Sequence, residues 1–494
     1  MGGKSVLSHA GCTGLMLALL CLARPAAADA CAGLLDLTLP DVHISAAQTF
    51  SDPVAHCRAD GVIAGSIRFS VWLPDDWNGK FFMGGGGGMV GSVQNHALAS
   101  LAQGYATAGT DTGHRSGGFE SAWALGDQEA VLNYAYVAVH RTAEVAKAVI
   151  AGYYSDAPRR SYFLGCSNGG RQGMHSVQRY PDDFDGVVIG APAFDFTDVG
   201  AAFVQITERM YPDPEDLSAP VISPAKRELL AGAVLDACDA DDGLADGIIS
   251  DPPACDFDPQ RLACDSADTE SCLTGPELAA VQAVYGGPQR GAGPFYVGYP
   301  VGAENVDGGW GAWLAGSRDL LGPGVPSMAY AFGMGLMRHF VYQDPSWTYQ
   351  GYDWNRFEHD ALPTASVLNA VSTDIRRFRG HGGKVLMYHG WADMALSANA
   401  TVAYVESLYA GDPSARDDVR LFMMPGMLHC RGGAGPDQVD FIGAIDAWVE
   451  RDEAPERLLA AFADGSGARP LCPHPQRAVY RGGPDRDPAS FECR

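Results

Sequence analysis

A serine flanked by glycines, Gly165-Cys166-Ser167-Asn168-Gly169, follows the apolar run SYFL at 161–164 and precedes a stretch of helical spacing at about 170–179. A strand-to-helix turn of this kind lifts a serine hydroxyl clear of the backbone, and the glycines permit its sharpness. Such a hydroxyl attacks a carbonyl when a base takes its proton and an acid orients the base. In the order serine, acid, histidine, the chain offers Asp393 in YHGWAD after the run at 385–388, and His429 in PGMLHC after the run at 419–423. Both would stand at the carboxyl ends of parallel strands, on the sheet edge that carries Ser167. The competing reading of Ser167 is a helix cap in a glycine-rich turn. His389 sits close to its strand and reads as a pocket residue. Asp111 and His114 read as a structural hydrogen-bond cluster, and Asp360 and Asp374 fall between the two halves of the sheet.

Acyl transfer also needs donors aimed at a developing oxyanion. The backbone N–H of Asn168 is one, and the glycine run 84–88 in WNGKFFMGGGGG supplies close-approach backbone for another. A phosphate loop is the alternative for those glycines, but no Lys-Ser/Thr follows them. Cys166 precedes the serine and Cys430 follows the histidine. If Ser167 and His429 touch, these cysteines are brought together, and an exported chain would oxidise them; otherwise they are buried thiols. A third cluster, Cys238-Asp239-Ala240-Asp241-Asp242-Gly243-Leu244-Ala245-Asp246-Gly247-Ile248, crowds four carboxylates into eight positions. Their repulsion favours a hard cation such as Ca2+ between them. The spacing is not that of an EF-hand, and a solvated acidic turn is the alternative.

Strands at 67–73, 80–83, 105–109, 161–164, 187–189, 385–388 and 419–423, alternating with helical spacing over 130–153 and 170–179, predict an α/β fold. Its sheet should be mostly parallel, with helices on both faces. The rhythm breaks from 196 to 376, which reads as a lid domain inserted between catalytic halves 29–195 and 377–494. The segment 470–494 reads as an irregular tail.

The chain has 494 residues, 34 Lys and Arg against 59 Asp and Glu, and a formal charge of −25. That field disfavours nucleic acid as a partner. Lys4, the apolar run 14–22 and Ala26 to Ala28 read as a signal peptide over 1–28, and no later stretch is long enough to span a bilayer. A periplasmic or secreted monomer is expected. Ten cysteines then remain, an even number that suits disulfides better than zinc because no CxxC occurs. Short loops make Cys238–Cys255, Cys264–Cys272 and Cys472–Cys493 natural pairs, with Cys31 and Cys57 also available.

Taken together, WNGKFFMGGGGG at 77–88, SYFLGCSNGGRQG at 161–173, FDGVVIGAPA at 184–193, CDADDGLADGIIS at 238–250, YHGWAD and PGMLHC resemble the tannase and feruloyl esterase family over nearly the whole mature chain. That family also includes mono(2-hydroxyethyl) terephthalate hydrolase. The resemblance implies an α/β-hydrolase core, a lid with structural calcium, and a Cys166–Cys430 bridge. It assigns calcium to the side chains of Asp239, Asp242 and Asp246 and the carbonyls of Leu244 and Ile248. It makes Gly88 the second oxyanion donor and turns Trp313 and Leu396 toward an aryl group.

The lid aromatics Trp310, Trp313, Tyr330, Phe332, Phe340, Tyr342 and Trp347 suit a flat aryl acyl group, although lid core is the plainer role for most of them. The pocket-edging stretch 320–332 holds no cation for a free carboxylate, with only Arg318 or Arg338 within reach. A neutral hydroxycinnamoyl or galloyl ester is therefore expected ahead of a terephthalate monoester. A serine peptidase and a non-catalytic calcium-dependent binding protein are the readings from other classes.

Overall fold

The computed structural model describes residues 1–2, 27–265, 270–291, 293–316, 322 and 324–494. The signal-peptide reading and Arg318 therefore fall largely or wholly outside the described residues. A nine-stranded sheet is built from β1 (Val42–Phe50), β2 (His56–Ile63), β3 (Ile67–Pro74), β4 (Lys80–Gly84), β5 (Ala106–Thr110), β6 (Arg160–Ser167), β7 (Gly186–Pro192), β10 (Lys384–Gly390) and β11 (Val419–Met424). Two-residue strands β8 (Gln289–Arg290) and β9 (Gly293–Pro294) form a separate hairpin. The order across the large sheet is β1-β2-β3-β5-β4-β6-β7-β10-β11. From β5 to β11 every pairing is parallel, and the first three strands add an antiparallel meander at one edge.

The central strands are apolar without interruption because both faces are covered. Side chains alternate between two cores. Phe163, Val187, Ile189, Val385 and Met387 join one, with Val139, Val149 and Met174 from helices Ala138–Tyr154 and Asn168–Arg179. Tyr162, Val188, Leu386 and Phe422 join the other, against Ile445 and Trp448 of helix Phe441–Arg451. This period-two division is what sheet geometry requires of a strand buried on both sides.

Between β7 and β10 the chain leaves the sheet, and its described residues contribute no strand to it. It forms helices that include Phe196–Met210, Pro224–Cys238, Gly275–Tyr285, Met328–Gly335 and Phe357–Leu368. Three features depart from the sequence reading. β1 and β2 lie ahead of the first strand that the sequence predicts, at 67–73. The helix expected over 130–153 is interrupted by a π-helical stretch, Asn133–Val137. The tail is not irregular: β12 (Leu458–Ala461) pairs with β13 (Ala468–Leu471), and β14 (Ala478–Tyr480) with β15 (Phe491–Cys493). Disulfides join Cys31–Cys57, Cys166–Cys430, Cys238–Cys255, Cys264–Cys272 and Cys472–Cys493. No helix among the described residues is long and apolar enough to cross a membrane.

Candidate active site

Ser167 ends β6 with φ +64° and ψ −125°, and helix Asn168–Arg179 begins at the next residue. A non-glycine residue held there stores strain of roughly 1–3 kcal/mol. The turn closes tightly enough that a Cβ on Gly165 would collide with the backbone of Gly169. Asp393 and His429 stand on the loops after β10 and β11, at the sheet edge reached by Ser167. His429 Nδ1 and Asp393 Oδ2 are 2.7 Å apart. Asp393 is fully buried; its Oδ1 accepts from the amides of Ala395 (2.8 Å) and Leu396 (3.0 Å), and its Oδ2 also meets His389 Nε2 at 3.1 Å. Burial opposes its ionisation, but the His429 charge and the hydrogen bonds from His389 and His429 outweigh burial. They hold the carboxyl well below the usual range.

His389 does not line the pocket. Its ring is wholly buried beneath the site, between Asp393, Thr401 Oγ1 (2.8 Å) and the Leu396 carbonyl (3.1 Å). Asp111 and His114 form the structural cluster that the sequence suggested: Asp111 takes Arg68 and the Gly113 amide, and His114 stacks on Trp123.

The loop after β4 commits its amides almost completely. Gly85 N–H donates to Leu164 O, Gly86 N–H to Gln172 Oε1, Gly87 N–H to Gln94 Oε1, Met89 N–H to Gly118 O and Val90 N–H to Gly87 O. Gly88 N–H alone in this run has no partner among the described residues. Its φ of +57°, and the Gly118 carbonyl standing where a Cβ would go, admit only glycine.

Two cavities meet at Ser167. A narrow apolar one of about 50 Å³ is lined by Gly88, Asn168, Tyr134, Phe196, Trp313, Leu396 and neighbouring residues. A wide cleft of about 690 Å³ is lined by Gln94, His96, Tyr388, His429, Arg431 and others. Gly88, Ser167, Trp313 and Phe332 border both. Trp313 meets the His429 ring edge to face, with centroids 5.4 Å apart. Of the other lid aromatics singled out, Trp310 is wholly buried core, and Tyr342 stacks on Trp347 away from the cavities.

Two cleft residues escaped the sequence reading. His96 is pushed down to about 4 by burial, Arg431 and His429. Its Nδ1 accepts from Cys166 N–H at 3.3 Å, which leaves the proton on Nε2. Arg431 follows the His-Cys pair; it is exposed and makes no ion pair among the described residues. No motif marks either residue. Arg338, by contrast, donates its Nε–H to Trp347 O and lines neither cavity.

The acidic loop offers hard oxygen donors without a preassembled cage. Among the described residues, no three His, Cys, Asp or Glu side chains converge as metal ligands. Asp239 accepts from the amides of Asp246 and Gly247, Asp242 Oδ1 from Leu244 N–H, and Asp246 from Ile248 N–H and from Arg469. Of the oxygens that the resemblance assigns to calcium, Asp242 Oδ2 and the Leu244 and Ile248 carbonyls accept no hydrogen bond among the described residues. The donor chemistry fits calcium once Asp246 is released from Arg469.

Residues 51–494 match the family model "Tannase and feruloyl esterase". The mono(2-hydroxyethyl) terephthalate hydrolase of Piscinibacter sakaiensis is 34% identical, over 89% of this chain and 84% of that one. A probable feruloyl esterase B of Aspergillus clavatus is 32% identical, over 86% and 83%. The crystal structure of feruloyl esterase B from Aspergillus oryzae superposes with a TM-score of 0.84 at 26% identity, over 95% of this chain and 100% of that one. Tannin acyl hydrolase from Aspergillus niger shares the fold, with a TM-score of 0.77 at 21% identity over 95% and 94%. The chain belongs to the tannase and feruloyl esterase family and is a carboxylic ester hydrolase.

Proposed function

We propose that the protein is an exported serine esterase that cleaves aromatic carboxylic esters of the hydroxycinnamoyl type through an acyl-enzyme. The observation that carries this reading is the Asp393–His429 hydrogen bond at 2.7 Å beside a cleft shared with the strained Ser167. Asp393, buried and ionised, fixes the His429 tautomer with the proton on Nδ1. Nε2 is then free to take the Ser167 proton as Oγ attacks the ester carbonyl. The N–H groups of Asn168 and Gly88 receive the oxyanion. His429 must next protonate the departing alcohol, so the alcohol lies in the wide cleft that His429 lines. The acyl group takes the apolar cavity against Trp313 and Leu396. Water attacks the acyl-enzyme from the vacated cleft and releases the aromatic acid.

Export is supported by the signal-like N-terminal sequence and by five disulfides, which persist in oxidising compartments. The deciding measurement compares hydrolysis of methyl ferulate, methyl gallate, mono(2-hydroxyethyl) terephthalate and a short aliphatic ester, with Ser167→Ala alongside. Preferential turnover of a hydroxycinnamate, lost by at least about 10³-fold in the variant, is expected. Full activity in Ser167→Ala would remove the serine mechanism.

A structural calcium ion belongs to the same proposal. Asp239, Asp242, Asp246 and the Leu244 and Ile248 carbonyls would hold it, and it would brace the acidic loop. Calcium should raise the melting temperature of the wild type and leave that of Asp242→Asn nearly unchanged. An equal response in both would remove the site.

A further inference from the structure

Arg171 lies four residues beyond Ser167 on helix Asn168–Arg179, with none of its surface exposed. Its charge has no carboxylate counterpart among the described residues. Nε–H and Nη2–H donate to Asn168 Oδ1 at 3.0 and 2.6 Å; Nη1–H reaches Leu368 O and Nη2–H reaches Tyr134 O, each at 3.1 Å. The rings of Tyr134 and Phe196, both walls of the apolar cavity, lie 4.6 and 4.9 Å from its Cζ. Withdrawing a guanidinium from water without an anion is costly, and an apolar residue of similar volume would serve a purely structural role better.

The partner of this charge shows what it can do. Asn168 presents its carboxamide oxygen to Arg171, and Nδ2–H donates to Gly86 O at 3.0 Å. One side chain thus fastens the turn that carries the Asn168 N–H to the loop that carries the uncommitted Gly88 N–H. We propose that Arg171 is a positioning residue for the oxyanion site. It locks the Asn168 carboxamide, fixes the separation of the two N–H donors, and keeps an unneutralised positive charge beneath the point where the carbonyl oxygen becomes negative. The inference rests on the serine mechanism of the preceding subsection. The oxyanion forms only as Oγ adds to the carbonyl, so the stabilisation is absent from the bound ester and belongs to kcat and not to KM. In this low-dielectric interior the guanidinium field is weakly screened.

The test measures kcat and KM on methyl ferulate, inhibition by phenylboronic acid, which adds to a serine hydroxyl as a tetrahedral anion, and binding of ferulate, which does not. Wild type, Ser167→Ala, Arg171→Met, Arg171→Lys and Asn168→Ala are compared. Arg171→Met is expected to lose roughly tenfold or more in kcat and a similar factor in boronate affinity, with KM and ferulate binding within about twofold. Arg171→Lys should recover part of both. Should Arg171→Met fail to fold, Asn168→Ala decides, because it cuts the link while keeping the backbone donor; the same split is expected there. A folded Arg171→Met with wild-type kcat and boronate affinity overturns the proposal. So does equal loss of ferulate and boronate binding, which would mark a merely structural role. A wild type that binds boronate no better than Ser167→Ala would instead overturn the serine mechanism, and Arg171's role with it.

Discussion

Chemistry at this site depends on a few side chains whose surroundings decide what each can do. The placement of Ser167, Asp393 and His429 at one sheet edge was legible in the sequence because each follows an apolar run within a few residues, and parallel strands must end on one edge. That of Arg431 was not. Its neighbours Cys430 and Gly432 say nothing about a cleft, and only the fold of the loop after β11 turns its position toward the wide cavity. The stretch 320–332 holds no Lys or Arg, but its residues Met328 and Phe332 line the same wide cleft as Arg431. In the wide cleft, where the proposed mechanism puts the alcohol, Arg431 and the neutral His96 offer a cation and an N–H donor. An ester whose alcohol carries a carboxylate should therefore be favoured over its methyl counterpart. Arg431→Gln should lower kcat/KM for that ester by several-fold, on the order of tenfold at low ionic strength, and affect the methyl ester much less. Equal losses on both esters would mean that Arg431 shapes the His429 loop and reads no charge.

Elements were legible where burial imposed a pattern and illegible where it did not. β7 is buried at every position, and its apolar run announced it. β1 is mostly exposed, so no alternation in VHISAAQTF betrays it. The π-helical stretch Asn133–Val137 brings Tyr134 into the hydrophobic cluster beside the site, a local adjustment that 3.6-residue spacing cannot encode.

The joint between the sheet and the inserted helices carries a prediction of its own. Asp195 precedes helix Phe196–Met210 and accepts from Asn369 Nδ2 at 2.8 Å, where the chain returns. Burial and then the like charge of Asp198 raise the Asp195 carboxyl. Burial also raises Asp198, opposed by Arg290 and helped by Glu358. Because folding raises these values, the associated stability is fully present below the ordinary carboxylate range of about 4. It is lost as pH climbs from there toward neutrality. Asp198→Asn should flatten that decline, with a melting temperature that exceeds wild type increasingly between pH 5 and about 7. A parallel pH dependence in the two proteins would show that the pair does not strain the joint.

Across the whole molecule, one covalent link does what the sheet alone does not. Cys166–Cys430 spans 264 residues, whereas the other bridges span 26, 17, 8 and 21. It ties the turn of Ser167 to the loop of His429 across the entire inserted segment. Two of the residues it involves or adjoins, Cys430 and Ser167, hold positive φ values of 66° and 64°. Unlinked, each could relax toward ordinary backbone and let Ser167 and His429 move apart. In the chain-entropy account, closing a loop of this length contributes on the order of 5 kcal/mol, more than any other bridge here. Cys166→Ala combined with Cys430→Ala should therefore unfold at a distinctly lower denaturant concentration. At temperatures where it stays folded, it should also lose kcat, because the Ser167–His429 geometry is no longer enforced. Near-UV circular dichroism separates the two effects by reporting the folded fraction at which turnover is measured. An unchanged denaturation midpoint would reduce the bridge to a local ornament of the turn. A lowered midpoint with full turnover per folded molecule would leave it a role in stability alone, with the strain at Ser167 borne by the glycines and by the packing of helix Asn168–Arg179.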